Sequence, residues 1–163
     1  MNKILNIDQA IRTAKRLRKE KKRIVLAGGI FDILHVGHIN FLQKAKEKGD
    51  VLFVLLESDE TVGKLKGPRR PINTQSARAQ VLSALTSIDY VVKLPEMKND
   101  KDYDRLVTRL QPMVIAVTKK DEHIEHKERQ AGKIHAQVLF VNDRIRNQST
   151  SRIAKIIQKE NII

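Results

Sequence analysis

Short apolar runs alternate with amphipathic helical stretches along nearly the whole chain, and that alternation leaves few folds open. Arg23 to Gly28 is a short apolar run, Val51 to Leu56 is continuously apolar as a strand covered on both faces requires, and Tyr90 to Leu94, Met113 to Val117 and Ala136 to Val141 are read as further strands. Between them, apolar residues return at helical spacing. The stretch from Ile7 to Lys22 sets Ile7, Ile11, Ala14 and Leu17 on one side of a basic helix, with Asp8 near its positive end. The stretch from His38 to Lys48 does the same through Ile39, Leu42 and Ala45, with Gly49 as its expected C-cap. Further helices are expected from Asn73 or Thr74 to Leu85, from Asp102 to Leu110, from about Glu122 to Ala131, and from about Ser149 to Lys159. The expected fold is therefore α/β, a doubly wound five-stranded parallel sheet with helices on both faces. It is read as one domain over residues 1–163, with residues 1–22 a basic helix leading into it. Ligands of such sheets sit at the carboxyl ends of the strands, and chemistry is expected there.

Composition narrows the classes. Among 163 residues there is no cysteine, which excludes a disulfide scaffold, a thiolate metal site and a cysteine nucleophile. No apolar run approaches the ~20 residues of a membrane span, and the stretch from Met1 to Arg12 lacks the features of a signal peptide. The chain is read as cytoplasmic, with no membrane partner. Lys and Arg outnumber Asp and Glu by 32 to 19, a net charge of +13 that favours anionic partners. An aromatic content of 4%, without tryptophan, argues against a base-stacking platform and hence against nucleic acid.

After the first expected strand comes Gly29-Ile30-Phe31-Asp32, then His35, Gly37 and His38. Two imidazoles three residues apart, split by a glycine and set at a helix start, form a phosphate-handling device. Gly37 lets a bulky anion approach the backbone, and the unpaired amides of the helix start point at it. Asp32 is expected to orient one ring or lie near a metal, or else to bond its own backbone in a turn. The polar stretch from Glu57 to Asn73, rich in Lys, Arg, Gly and Pro, lacks periodicity and is expected to be a functional loop. His123 and His126 are read as one turn of a solvent-facing charged helix rather than as a metal pair.

The pattern G-x-F-D-x-x-H-x-G-H resembles that of the cytidylyltransferase-like nucleotidyltransferases, and the resemblance extends from about Lys22 to Ile157. The segment from Glu57 to Glu60 looks like that family's second strand end. Lys64 to Gly67, followed by Arg70-Pro71-Ile72-Asn73, looks most like the adenylyltransferases that make ADP-heptose. Arg78 matches the arginine of the helix that follows. Gln148 to Ser151, with Arg144 ahead of it, resembles the signature that holds the outer phosphates. The segment from Val117 to Glu122 keeps a carboxylate at Asp121 but has Lys119 and Lys120 where relatives carry glycine.

The resemblance implies a Rossmann-like fold and nucleotidyl transfer from a nucleoside triphosphate to a small phosphorylated acceptor, with release of pyrophosphate. ATP and a sugar phosphate are favoured. Cytidylyl transfer to glycerol 3-phosphate or a related alcohol phosphate, adenylyl transfer to FMN, and a non-catalytic nucleotide- or RNA-binding role are the alternatives. It implies a catalytic set of His35, His38 and Lys66. The implied nucleotide-binding set is Gly29, Ile30, Phe31, Asp32, His35, Gly37, His38, Asp121, Arg144, Ser149, Thr150 and Ser151. Asp59, Lys66, Arg70 and Arg78 are the implied acceptor-binding set. Lys44 or Lys46 would add charge from the neighbouring helix. Mg²⁺ is implied, held mainly by the phosphates, and a homodimer is suggested.

Overall fold

A computed structural model of the chain describes residues 2–119, 121–142 and 150–159. It contains strands β1 (Ile4–Leu5), β2 (Ile24–Gly29), β3 (Val51–Leu56), β4 (Tyr90–Lys93), β5 (Val114–Thr118) and β6 (Gln137–Asn142). The helices are α1 (Ile7–Lys19), α2 (Val36–Lys46), α3 (Asp59–Lys66), α4 (Gln75–Ser83), α5 (Asp100–Leu110), α6 (Ile124–Ile134) and α7 (Thr150–Lys159). Every strand pairing is parallel, in the order β1-β4-β3-β2-β5-β6.

Strand pleat sorts the core into two layers. In β3, Val51, Phe53 and Leu55 join Ala14 and Leu17 of α1, Leu106 and Leu110 of α5 and Ala131 of α6. Leu52, Val54 and Leu56 turn the other way, to Phe41, Leu42 and Ala45 of α2 and Ala79 and Leu82 of α4. A strand buried on both sides leaves no room for polar residues, and β3 has none. The crossover that follows β2 covers one face and the one that follows β5 covers the other, so the tips of these adjacent strands open a crevice between them.

The α/β doubly wound class stands, with six strands rather than the expected five. The extra one, β1, pairs Ile4 with Val91 and Leu5 with Val92; two residues cannot display a period. Part of the expected loop is helix α3. Ser58 caps it, its hydroxyl accepting from the Thr61 amide at 3.2 Å, and Asp59 and Glu60 sit in its first turn. Gly49 is not a left-handed cap. A Cβ there would lie 2.7 Å from the Arg23 carbonyl oxygen and 2.7 Å from Val25 Cγ2, so close approach to the start of β2 is what demands glycine.

Candidate nucleotide-binding site

Beyond β2 the chain makes a sharp turn through Phe31, whose φ of 47° is left-handed and costly for a bulky residue. The turn brings the Phe31 ring back beneath the strand end: a Cβ on Gly29 would lie 2.8 Å from Phe31 Cε2. Gly29 is thus required by its own neighbour's ring. That ring meets His38 edge-on, centroid to centroid 5.1 Å. His35 is the N-cap residue of α2 and His38 lies in the first turn, so one helical turn stacks the two rings at 3.8 Å.

The stack has electrostatic consequences. Burial, aided by the neighbouring ring of His35, pushes His38 down to about 4, while the Ile33 backbone opposes the shift. Burial also lowers His35. Both rings are therefore neutral near pH 7, each with one N–H to donate and one nitrogen to accept. Among the described residues the buried Nδ1 atoms of both have no hydrogen-bond partner, a cost that calls for an explanation. The Thr150 hydroxyl, in the first turn of α7, donates to the Ile33 carbonyl at 3.0 Å. The hydroxyl-bearing start of α7 therefore abuts the histidine loop, with Ser151 exposed next to it.

Asp32 departs from expectation. Its buried carboxylate accepts from Arg70 Nε at 2.7 Å and from the amides of Ile72 and Asn73 at 2.9 Å, and Asn73 Nδ2 returns a bond to its carbonyl at 2.8 Å. It orients neither imidazole and does not bond its own turn. Burial pushes this carboxyl up, but the two amides and the guanidinium outweigh that and hold it below the usual carboxylate range. Asp32 clamps the segment after α3 onto the strand tip, and Arg70 is spent in the same clamp.

Arg78 is the second correction. Expected to hold the acceptor, its side chain is wholly buried. Nε donates to the Asn73 carbonyl at 3.0 Å, one terminal nitrogen to Ile30 O at 2.6 Å, and the other to Glu57 O at 2.8 Å and Asp59 Oδ1 at 2.7 Å. Four of its five N–H donors face the protein, which leaves it a tie among three strand-tip segments. Asp59 is its counter-ion. Lys46 is a third correction: it bonds Asp89 Oδ2 at 2.7 Å, before β4, at the opposite end of the sheet from the tips. Helix α2 carries it roughly 12 Å from His38, and Lys44 lies in the same last turn.

Lys66 is exposed at the last turn of α3, close in sequence to the clamped Arg70. Asp121 follows β5; it accepts from the His123 amide at 2.9 Å and pairs with Lys127. Lys120, Arg144, Gln148 and Ser149 lie outside the described residues. His126 pairs with Asp100 at 3.0 Å, and His135 ends α6 in a left-handed conformation. Sequence reasoning singled out neither Glu57 as a side chain nor Tyr103. The Tyr103 hydroxyl donates to Glu57 Oε2 at 2.9 Å beside the strand tips, and strand parity could have found it, because Glu57 continues the series of Val51, Phe53 and Leu55 towards α5.

A parallel sheet wound on both faces, with stacked neutral imidazoles at a helix start beyond its first long strand, defines a Rossmann-like phosphate-binding domain. The chain belongs to the cytidylyltransferase-like family, whose match spans residues 26–157. It is 40% identical over 156 residues to the bifunctional protein HldE of Wolinella succinogenes, covering 96% of this chain and 31% of that protein. Over 102 residues it is 49% identical to HldE of a Nitratiruptor species, covering 63% of this chain and 21% of that one. The chain thus spans a third or less of these curated relatives. Among solved structures it is similar to a lipopolysaccharide core biosynthesis protein from Thermoplasma volcanium. That match has a TM-score of 0.62 and 27% identity, and covers 74% of this chain and 97% of that one.

Proposed function

We propose that the chain transfers a nucleoside monophosphate, with ATP as the favoured donor, to the phosphate of a small sugar phosphate, releasing pyrophosphate. A phosphate oxygen of the acceptor attacks the α-phosphorus in line. The bond from the α-phosphorus to the bridging oxygen breaks, and pyrophosphate leaves with the electron pair. The observation that carries this reading is the His35–His38 stack, its two Nδ1 atoms without partners among the described residues, next to the start of α7.

The chain's contribution is positioning and charge stabilisation. The neutral rings of His35 and His38 donate hydrogen bonds to phosphate oxygens as charge builds on the leaving group. The first-turn amides of α2, including that of Gly37, and the hydroxyls of Thr150 and Ser151 hold the remaining oxygens. Lys66 carries charge to the acceptor phosphate from a segment that Asp32 and Arg78 keep in place. Mg²⁺ is proposed to travel with the triphosphate. Among the described residues no group of three carboxylates, imidazoles or thiols is arranged to hold it, and the Asp32 carboxylate is already taken up. No step is assigned to the ion. Similarity to HldE over 96% of this chain supports a sugar phosphate over FMN or glycerol 3-phosphate as acceptor.

The experiment follows pyrophosphate release with ATP or CTP, Mg²⁺ and a panel of hexose 1-phosphates, heptose 1-phosphates, glycerol 3-phosphate and FMN. Release with ATP and a sugar 1-phosphate is expected, and His38→Ala should lower kcat/KM roughly 10²- to 10³-fold with the circular dichroism spectrum unchanged. Release only with CTP, only with FMN, or with no pair at all refutes the reading.

A further inference from the structure

We infer that Glu57 and Tyr103 form the specificity edge of this site and read the hydroxyls on the polyol body of the acceptor. The inference rests on the nucleotidyl-transfer reading and names the part of the acceptor that the phosphate side of the site leaves unread.

The placement follows from the pleat. Residues of β3 with odd numbers face α1, α5 and α6, and those with even numbers face α2 and α4. Glu57, the first residue past the strand, continues the odd series, so its side chain reaches α5 while the histidines occupy the α2 side. Its backbone is fixed. The amide donates to Gly29 O at 3.2 Å and the carbonyl accepts from Arg78 at 2.8 Å. The residue therefore sits at the strand tips, directly beside the turn that carries the phosphate loop, and not on a wandering loop.

Its chemistry selects the ligand. Tyr103 spends its only O–H on Glu57 Oε2, at 2.9 Å, while Oε1 has no hydrogen-bond partner among the described residues. Lys127, whose charge acts on Glu57, is itself paired with Asp121. What remains is a pair of acceptor oxygens, Glu57 Oε1 and the Tyr103 hydroxyl oxygen, with no ion pair to either among the described residues. Such an edge repels a second phosphate or a carboxylate and accepts from O–H donors. Burial pushes the Glu57 carboxyl up, and Tyr103 and the charges of Arg78 and Lys127 offset that only in part, so further donors on this group are favourable. A molecule with an anionic end for Lys66 and the imidazoles and a hydroxyl-rich neutral end matches both sides of the crevice.

The test is steady-state kinetics of the full chain and of Glu57→Gln and Tyr103→Phe, with ATP, the best sugar 1-phosphate of the panel above, and its deoxy analogues. Melting temperatures are taken in parallel. Glu57→Gln turns an acceptor into a donor, so the KM for the sugar phosphate should rise roughly 10- to 100-fold while the KM for ATP changes less than twofold. At least one deoxy analogue should be penalised on the wild type and penalised less on Glu57→Gln. Tyr103→Phe should raise the same KM by a smaller factor and remains informative if Glu57→Gln fails to fold. An unchanged acceptor KM, or a lowered melting temperature with unchanged KM, overturns the inference. A rise in the ATP KM alone also overturns it, because the ribose would then be what is read. Absence of pyrophosphate from the wild type with every acceptor is a separate result, which removes the parent reading and this one with it.

Discussion

The Thr150 hydroxyl donates to the Ile33 carbonyl at 3.0 Å, and this bond ties the last described helix to the loop between β2 and α2. Thr150→Val keeps the branched shape and deletes the donor. We expect a stability loss of about 1 kcal/mol in urea unfolding and a several-fold weaker interaction with ATP in a thermal-shift titration. Unchanged ATP affinity would show that the start of α7 lies outside the triphosphate's reach.

His38 makes the fold sensitive to mild acid. Its value near 4 in the folded chain lies below the ordinary 6.5 or so of an unfolded histidine, so the unfolded state binds the extra proton across that window. Stability is then undiminished above about pH 6.5 and falls as pH drops towards 4, by about 3 kcal/mol in total. Urea midpoints measured between pH 7 and pH 4 should show that decline, and His38→Ala should flatten it. On the proposed reading, nucleotide binding would place anionic oxygens beside the rings and raise their affinity for protons. Titration calorimetry at pH 5.5 in two buffers of different ionisation enthalpy should therefore detect net proton uptake.

Arg78 tests whether the strand tips move as one piece. Arg78→Lys keeps the charge but cannot reach Asn73, Ile30, Glu57 and Asp59 together. Buried carbonyls left without donors should cost about 3 kcal/mol of unfolding free energy, and the KM values of both substrates should rise together. A variant with full stability and a raised acceptor KM alone would restore Arg78 to the acceptor.

Gly49→Ala checks the close approach between α2 and the start of β2. Its methyl group meets a backbone oxygen and a buried valine, both at 2.7 Å, and neither can step aside easily. A loss of about 1–3 kcal/mol in chemical denaturation is expected, with kcat unaffected because the clash lies at the far end of the sheet from the histidines.

Legibility in the sequence followed burial. The strands were legible because β3 and its neighbours are apolar on both faces, and the placement of His35 and His38 at a helix start because they follow directly on a glycine-ended strand. Helix α3 was obscured by chemistry: of its residues only Thr61 and Val62 are buried, so no apolar stripe marks it, and its signal was the Ser58 cap and the acidic first turn. The roles of Asp32 and Arg78 were hidden for another reason. Their partners are mostly main-chain groups some 20 to 48 positions away, and backbone carries no sequence signature. Motif position alone assigned both to ligands, whereas the fold employs them as ties.

The Asp32 clamp grips Ile72 and Asn73 chiefly by their amides, and the Ile72 side chain stands 43% exposed above it. Ile72 is held by its amide alone, so its side chain is free to vary without loosening the clamp. New residues at position 72 can reshape the exposed surface there while the mooring beneath stays intact, provided they are not proline.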